Sequence, residues 1–399
     1  MITTSLQSLA RWAAFAENCW YPIPDRPDLG CFGTGYNSWG VQTNQKYLAA
    51  LAVLFCEEDS DTENIFPKEK ALERAVAALR FSLASHVTGD FYCTDGTQWG
   101  HTWISGLGIE RMMHAVHRIS PYLSAHDQDR IRALLADEAD DLCTDYRRGN
   151  EPGVKAGQWN SSGRNDPESN IWNGGICARA ALWNPTDSRR ERWMERAQLF
   201  CLNGISVPAD AEDKTVYENR PLQDWHLGAN FFPNYALDHH GYLNVGYMVI
   251  CLSNIAMVHY AYRLRGLQAP ESLYLHAYDL WQLVRKLIFE DGRLIRIGGD
   301  SRIRYCYCQD YLIPTLYFAA DIWEDRRAAT LLPKALEIIF REQRLAGDGR
   351  FLCDRLDGMQ TASPYYYTRL EADRAVVLSQ LIDWSQRLQY PPTDTQEAP

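Results

Sequence analysis

The sequence predicts an all-α fold, an (α/α)6-type toroid built from helical hairpins and either closed or incomplete. Three observations carry that expectation. Apolar residues recur at spacings of three and four through most of the chain. Strand-like alternation is scarce, with "GRLIRIGG" as the best candidate. No strict short repeat is visible, which disfavours a solenoid of stacked helix pairs.

The helical segments read in order as 4–18, 43–57, 69–86, 103–119, 126–145, 170–183, 187–203, 242–265, 272–289, 307–324, 327–343 and 365–388. The first, within "MITTSLQSLARWAAFAENC", is amphipathic. It lacks the basic region and long apolar run of a signal peptide or membrane span, so a cytoplasmic protein with no membrane partner is expected. The turn signals "SPYL" and "NPTDS" separate later segments, and Asp187 or Ser188 is a candidate cap for "RRERWMERAQLF". Pairing successive segments gives six hairpins. Residues 1–390 read as one catalytic domain and 391–399 as a frayed tail.

Composition narrows the function. A formal net charge of −11 excludes the basic footprint of a nucleic-acid partner. It leaves room for an anionic ligand, because a pocket can be locally positive. The 13 Trp and 22 Tyr offer ring faces that serve either as core or as platforms for sugars. The 11 cysteines are scattered without a C-x-x-C pair, as in a protein with reduced, buried thiols and no structural zinc.

Chemistry-bearing residues concentrate in the long loops 20–40, 87–102, 147–169, 204–240 and 290–306. In "NYALDHHGYLNVGY", His239 and His240 precede a buried-looking helix, and Tyr247 follows one to two turns on. A histidine takes or holds a proton near neutral pH, and a nearby cation makes a phenol a better base. In "ESNIWNGG", Asn170, Trp172 and Asn173 stand at a helix start, where amides and the helix terminus can bind a carboxylate. Asn170 is equally suited to be a plain helix cap. In "RIGGDSRIRYCYC", Arg302 and Arg304 flank a turn that Gly298 and Gly299 let bend, with Tyr305 beside them. The arginine fork matches a carboxylate. Trp99, His101, Arg220, Trp225 and His226 are further candidates for binding substrate. No metal is expected: a divalent ion is compatible with the His, Asp and Glu present, but no ligand spacing indicates one, and no cofactor motif occurs.

Taken together, "SNIWNGG", "LDHHGYLNVGY" and "GGDSRIRY" resemble, in order, motifs of the α/α-toroid polysaccharide lyases, the hyaluronate, chondroitin and heparinase-type enzymes. The resemblance covers about residues 160–310. It implies cleavage of a uronic-acid-containing oligo- or polysaccharide by β-elimination. Asn170 or Asn173 with a histidine would neutralise the carboxylate, His239 or His240 and Tyr247 would move protons, and Arg302 would assist Tyr247 or clamp the substrate. The distance from asparagine to histidine is longer here than in that family, and the choice between His239 and His240 stays open. The expected architecture is the toroid alone, without the C-terminal β-sandwich that many of those enzymes carry, as in some alginate and glucuronan lyases. Three other readings remain. A glycoside hydrolase would use two loop acids among Asp95, Glu218, Asp224 and Asp300. A sugar epimerase or isomerase would use a similar proton-abstracting group. A carbohydrate-binding protein would need no turnover.

Overall fold

A computed structural model describes residues 1–144, 147–148, 151–152, 154–156, 165–297, 307–353 and 357–388. The chain is all-α, with 66% helix and 5% strand. The helices are α1 (Ile2–Ala16), α2 (Trp39–Cys56), α3 (Ser60–Ile65), α4 (Lys68–Ala84), α5 (Ser105–Ile119), α6 (Ala125–Cys143), α7 (Pro167–Trp183) and α8 (Arg190–Leu202). They continue with α9 (Leu222–Trp225), α10 (Val245–Arg263), α11 (Ala277–Val284), α12 (Leu312–Ile322), α13 (Arg326–Ala346), α14 (Asp357–Ala362) and α15 (Pro364–Leu388).

Packing follows the hydrophobic pattern. Helices that are apolar nearly all round become core elements, whereas a one-sided stripe marks an outer helix. In α2 every residue from Gly40 to Leu54 is buried, and α10 is buried along most of its length. In α13 the buried set includes Leu332, Ala335, Leu336, Ile339 and Gln343, a three-and-four spacing that leaves the other face to solvent. Consecutive core helices touch: α2 packs on α5, α5 on α7, α7 on α10, α10 on α12, α12 on α15 and α15 on α2. Each of five core helices also carries a flanking helix, α4 on α2, α8 on α7, α11 on α10, α13 on α12 and α1 on α15. α10 is long and apolar enough to cross a membrane, but most of it is buried against its neighbours.

Caps set several boundaries. Ser124 and Asp127 form a reciprocal capping box at the start of α6, and the side chains of Asp59, Asn244 and Asp325 cap α3, α10 and α13. Gly347 ends α13 in a left-handed conformation (φ 79°), which costs a glycine little.

The segments expected from sequence nearly all appear. The segment 242–265 starts later, at Val245, because residues 238–243 form a hairpin instead. The segment 272–289 breaks into short turns around α11. In "GRLIRIGG" only Leu294 makes a bridge, to Ile288, and residues 298–306 lie outside the described residues. Strand structure among the described residues consists of four two-stranded antiparallel hairpins.

A line of polar side chains crosses this core. Lys46 of α2 is ion-paired to Asp373 of α15. Asp373 accepts from Tyr311, just before α12, at 3.0 Å, and the Tyr311 oxygen accepts from Arg111 of α5 at 2.9 Å. Arg111 also donates to Asn254 of α10 (2.9 Å), which donates to the main-chain oxygen of Glu168 in α7 (3.1 Å). One residue from each core helix, or from the turn leading into it, takes part. Burial pushes the Lys46 ammonium down to about 7, against the opposing pull of Asp373.

Candidate functional site

The site grows from a hairpin in which Asp238–His239 pairs with Tyr242–Leu243. Two residues join the strands, His240 (φ 61°) and Gly241 (φ 81°). Positive φ at both positions is the backbone of a type I′ turn, whose twist matches that of the strands it joins. Glycine takes that conformation freely, whereas histidine is an infrequent occupant. Here His239 turns inward and is buried, while His240 is exposed.

The hairpin is fastened to α10 by Asn244. Its oxygen accepts from the Tyr247 main-chain N–H at 3.1 Å, and its amide donates to the His239 carbonyl at 3.3 Å. This places Tyr247, half-buried in the first turn of α10, against both histidines. Ring centroids lie 4.9 Å apart for His239 and Tyr247, 5.2 Å for His240 and Tyr247, and 4.1 Å for the two histidines.

His239 is held from behind by α7 and the residues leading into it. Asn165 donates from its amide to the carbonyls of Asn230 (3.1 Å) and Asp238 (3.0 Å). Its oxygen is therefore left to accept from His239 Nδ1, 3.0 Å away, which assigns the proton to Nδ1. Nε2 faces the buried Glu168 carboxylate at 3.6 Å. The arrangement thus has an anchored, inward histidine and two outward groups, His240 and Tyr247, that can meet a ligand.

Of the residues singled out from sequence, His239, His240 and Tyr247 come together. Asn170 does not join them: its buried amide donates to the carbonyls of Lys155 and Asn203, both at 2.7 Å, and ties two loops together. Trp172 and Asn173 are buried in α7, where Trp172 packs with Ile104 and Leu107 under half-buried Trp39 and Trp103. Arg302, Arg304 and Tyr305 lie outside the described residues.

Trp99 is buried with its indole N–H on the Ser82 carbonyl (2.8 Å), a packing role. His101 pairs with Asp137 at 2.6 Å, and that hydrogen bond raises it to about 9. Arg220 is ion-paired to Glu195 and lies over Trp225, 4.2 Å from its ring centre. His226 is half-buried, and burial lowers its proton affinity. Of the acids considered for hydrolysis, Asp300 lies outside the described residues. Asp95 accepts from Asn37 and Thr97 within its own loops, Glu218 sits in a hairpin turn, and Asp224 lines the recess beside Arg220. Among the described residues no group of His, Cys, Asp or Glu could hold a metal.

Asn165 and Glu168 are the partners that the sequence reading missed. Asp166–Pro167 was the available signal, because proline at the first helical position marks a helix start. Starting α7 at Pro167 rather than at 170 puts Glu168 in its first turn. No protein-family model, curated protein or solved structure matches the chain.

Proposed function

We propose that the chain is a lyase that cleaves a uronic-acid-containing oligo- or polysaccharide by β-elimination, on an (α/α)6 toroid. The sequence of core-helix contacts that returns from α15 to α2 supports the toroid. The observation that carries the chemistry is the cluster itself, an outward His240 and Tyr247 set against a histidine fixed by Asn165 and Glu168.

The C5 proton of a uronate is hard to remove because the resulting carbanion lies beside a carboxylate. Charge stabilisation aimed at that carboxylate lowers the barrier. Arg302 is the cation that the family resemblance supplies for it, while Asn165 and the inward His239, held by Asn230, Asp238, Glu168 and each other, position the rings that meet the substrate. Tyr247 or His240 accepts the C5 proton. The freed electron pair becomes the C4–C5 double bond, the glycosidic C4–O bond breaks, and the departing oxygen takes up a proton from the same pair of side chains.

The test is far-ultraviolet absorbance during incubation with a panel of uronate polysaccharides and oligosaccharides. A rising band from the unsaturated product supports elimination. New reducing ends without that band point to hydrolysis, and an exchanged C5 proton without cleavage points to an epimerase.

A further inference from the structure

The core line marks a common level across the helices it joins, and those helices carry other side chains ahead of it. Trp39 precedes Lys46 on α2, Ile104 precedes Arg111 at the start of α5, Tyr247 precedes Asn254 on α10, and Arg369 precedes Asp373 on α15. The Trp39 main-chain N–H donates to the Tyr365 hydroxyl at 2.9 Å, ahead of the Lys46–Asp373 pair on both helices, so α2 and α15 run the same way. Asn254 meets Glu168, and further along both helices the Met257 carbonyl meets Arg179, so α7 and α10 also run together. Trp39, Trp103, Ile104 and Trp172 pack as one cluster and join the starts of α2, α5 and α7. Arg369 and Tyr247 therefore lie at the same end of the core.

Arg369 is pressed between two rings, its guanidinium carbon 3.5 Å from the centre of Trp39 and 5.1 Å from that of Tyr307. A guanidinium carries donors and no acceptor. Here it makes no hydrogen bond among the described residues: Nε is sealed in without a partner, and Asp373 Oδ2 stands 3.9 Å away. Arg369 is only 8% exposed, and unmet donors at that depth are costly. The surroundings are aromatic. Half-buried Trp103 meets Trp39 edge-on at 5.6 Å, and half-buried Tyr365 leads to exposed Tyr36 at 6.4 Å. The chain enters α2 through Ser38 at φ 68°, a backbone that residues other than glycine seldom take and that gathers at binding sites.

Granted a uronate chain as the substrate, the reading on which this rests, we propose that Arg369 is a second anion subsite at the same end of the core as Tyr247. It takes the carboxylate of a further uronate unit, whose ring lies against Trp39 and Trp103. The guanidinium fork matches both oxygens of a carboxylate, and stacking on the indole fixes its plane while leaving its edge for hydrogen bonds. The aromatic walls keep water away, which strengthens the pair. A sugar ring brings C–H groups that rest on the indole faces. A neutral sugar can use the rings but leaves the guanidinium unmet, so the subsite selects chains that carry a second carboxylate.

The test is rapid-mixing tryptophan fluorescence of the full chain, read before turnover. The probes are tetrasaccharides of glucuronate, galacturonate, mannuronate and guluronate, and the same tetrasaccharides with their carboxyl groups reduced to alcohols. The parent should bind at least one acidic tetrasaccharide roughly tenfold more tightly than its reduced form. Arg369→Gln should lose that preference, and Arg369→Lys should recover only part of it, because an ammonium lacks the two-pronged fork. Trp103→Ala should weaken both forms alike. Urea midpoints show which variants are folded, and Arg369→Lys carries the comparison if the glutamine variant is not. An undiminished preference in either folded variant, or none in the parent, overturns the subsite while leaving uronate binding and the proposed reaction standing. A parent that binds no acidic tetrasaccharide overturns both.

Discussion

The cluster around Tyr247 and the polar line from Lys46 to Asn254 are built from similar side chains and differ in access. Every group of the core line faces another protein group across a helix boundary. The cluster keeps one histidine in such a frame and turns the other outward with the half-buried phenol. Polar identity alone therefore does not separate a structural network from a reactive one. What separates them is exposure: His240 is exposed and Tyr247 half-buried, whereas the core line is buried from end to end.

That contrast breaks first at Asp373. Removing it by Asp373→Ala leaves the Lys46 ammonium buried without its partner, a change that costs roughly 3–5 kcal/mol. Urea unfolding should show the loss, and most of it should be recovered by the paired replacement Lys46→Met with Asp373→Leu. A single variant as stable as the parent would mean that the line is not structural.

Tyr247→Phe should do the reverse. It should lower uronate elimination by about 10²–10⁴-fold, the range for removing a proton-transfer group, while the urea midpoint stays within the spread of the parent. Undiminished elimination would remove Tyr247 from the chemistry.

Glu168→Gln lies between the two regions, because Glu168 meets the core line through its carbonyl and the cluster through its carboxylate. Turnover should fall by roughly tenfold, about 1.4 kcal/mol by the usual conversion, with KM nearly constant and a changed pH profile of kcat. An unaltered pH profile would reduce Glu168 to a packing role.

The smallest effect belongs to an exposed pair outside both regions. His101 is raised from 6.5 to about 9 by its hydrogen bond to Asp137, with burial opposing. Its folded form holds the proton more tightly than the unfolded chain does, so its contribution to stability is full below about pH 6.5 and fades as pH rises through about 9. An NMR titration of His101 should show the high midpoint, and Asp137→Asn should bring it back towards the ordinary histidine value.

Much of the fold was legible from sequence because helix period and burial go together along α2, α10 and α13. The short helices α3, α9 and α14 were not, since six residues or fewer carry too little periodicity. The site was half legible. The histidine pair and Tyr247 stand out as adjacent polar residues before an apolar run. Asn165 was passed over because its role depends on three carbonyl and ring partners, at Asn230, Asp238 and His239, all more than sixty positions away. Asn170 suits either a carboxylate ligand or a helix cap from sequence, and the carbonyls it actually ties together, at Lys155 and Asn203, lie 15 and 33 positions away, beyond any local pattern. Arg220 and Trp225 lie in the same long loop as the histidines, and the structure stacks them on each other in a recess beside α8.

The Asn244 clasp has a mechanical consequence. Because it grips the His239 carbonyl, the Tyr247 amide and, through its own N–H, the Leu237 carbonyl at 2.8 Å, the histidines travel with α10 rather than with the long connection before them. Lengthening or shortening that connection upstream of Leu237 would change what is delivered to the two rings and the phenol, yet leave their mutual spacing intact.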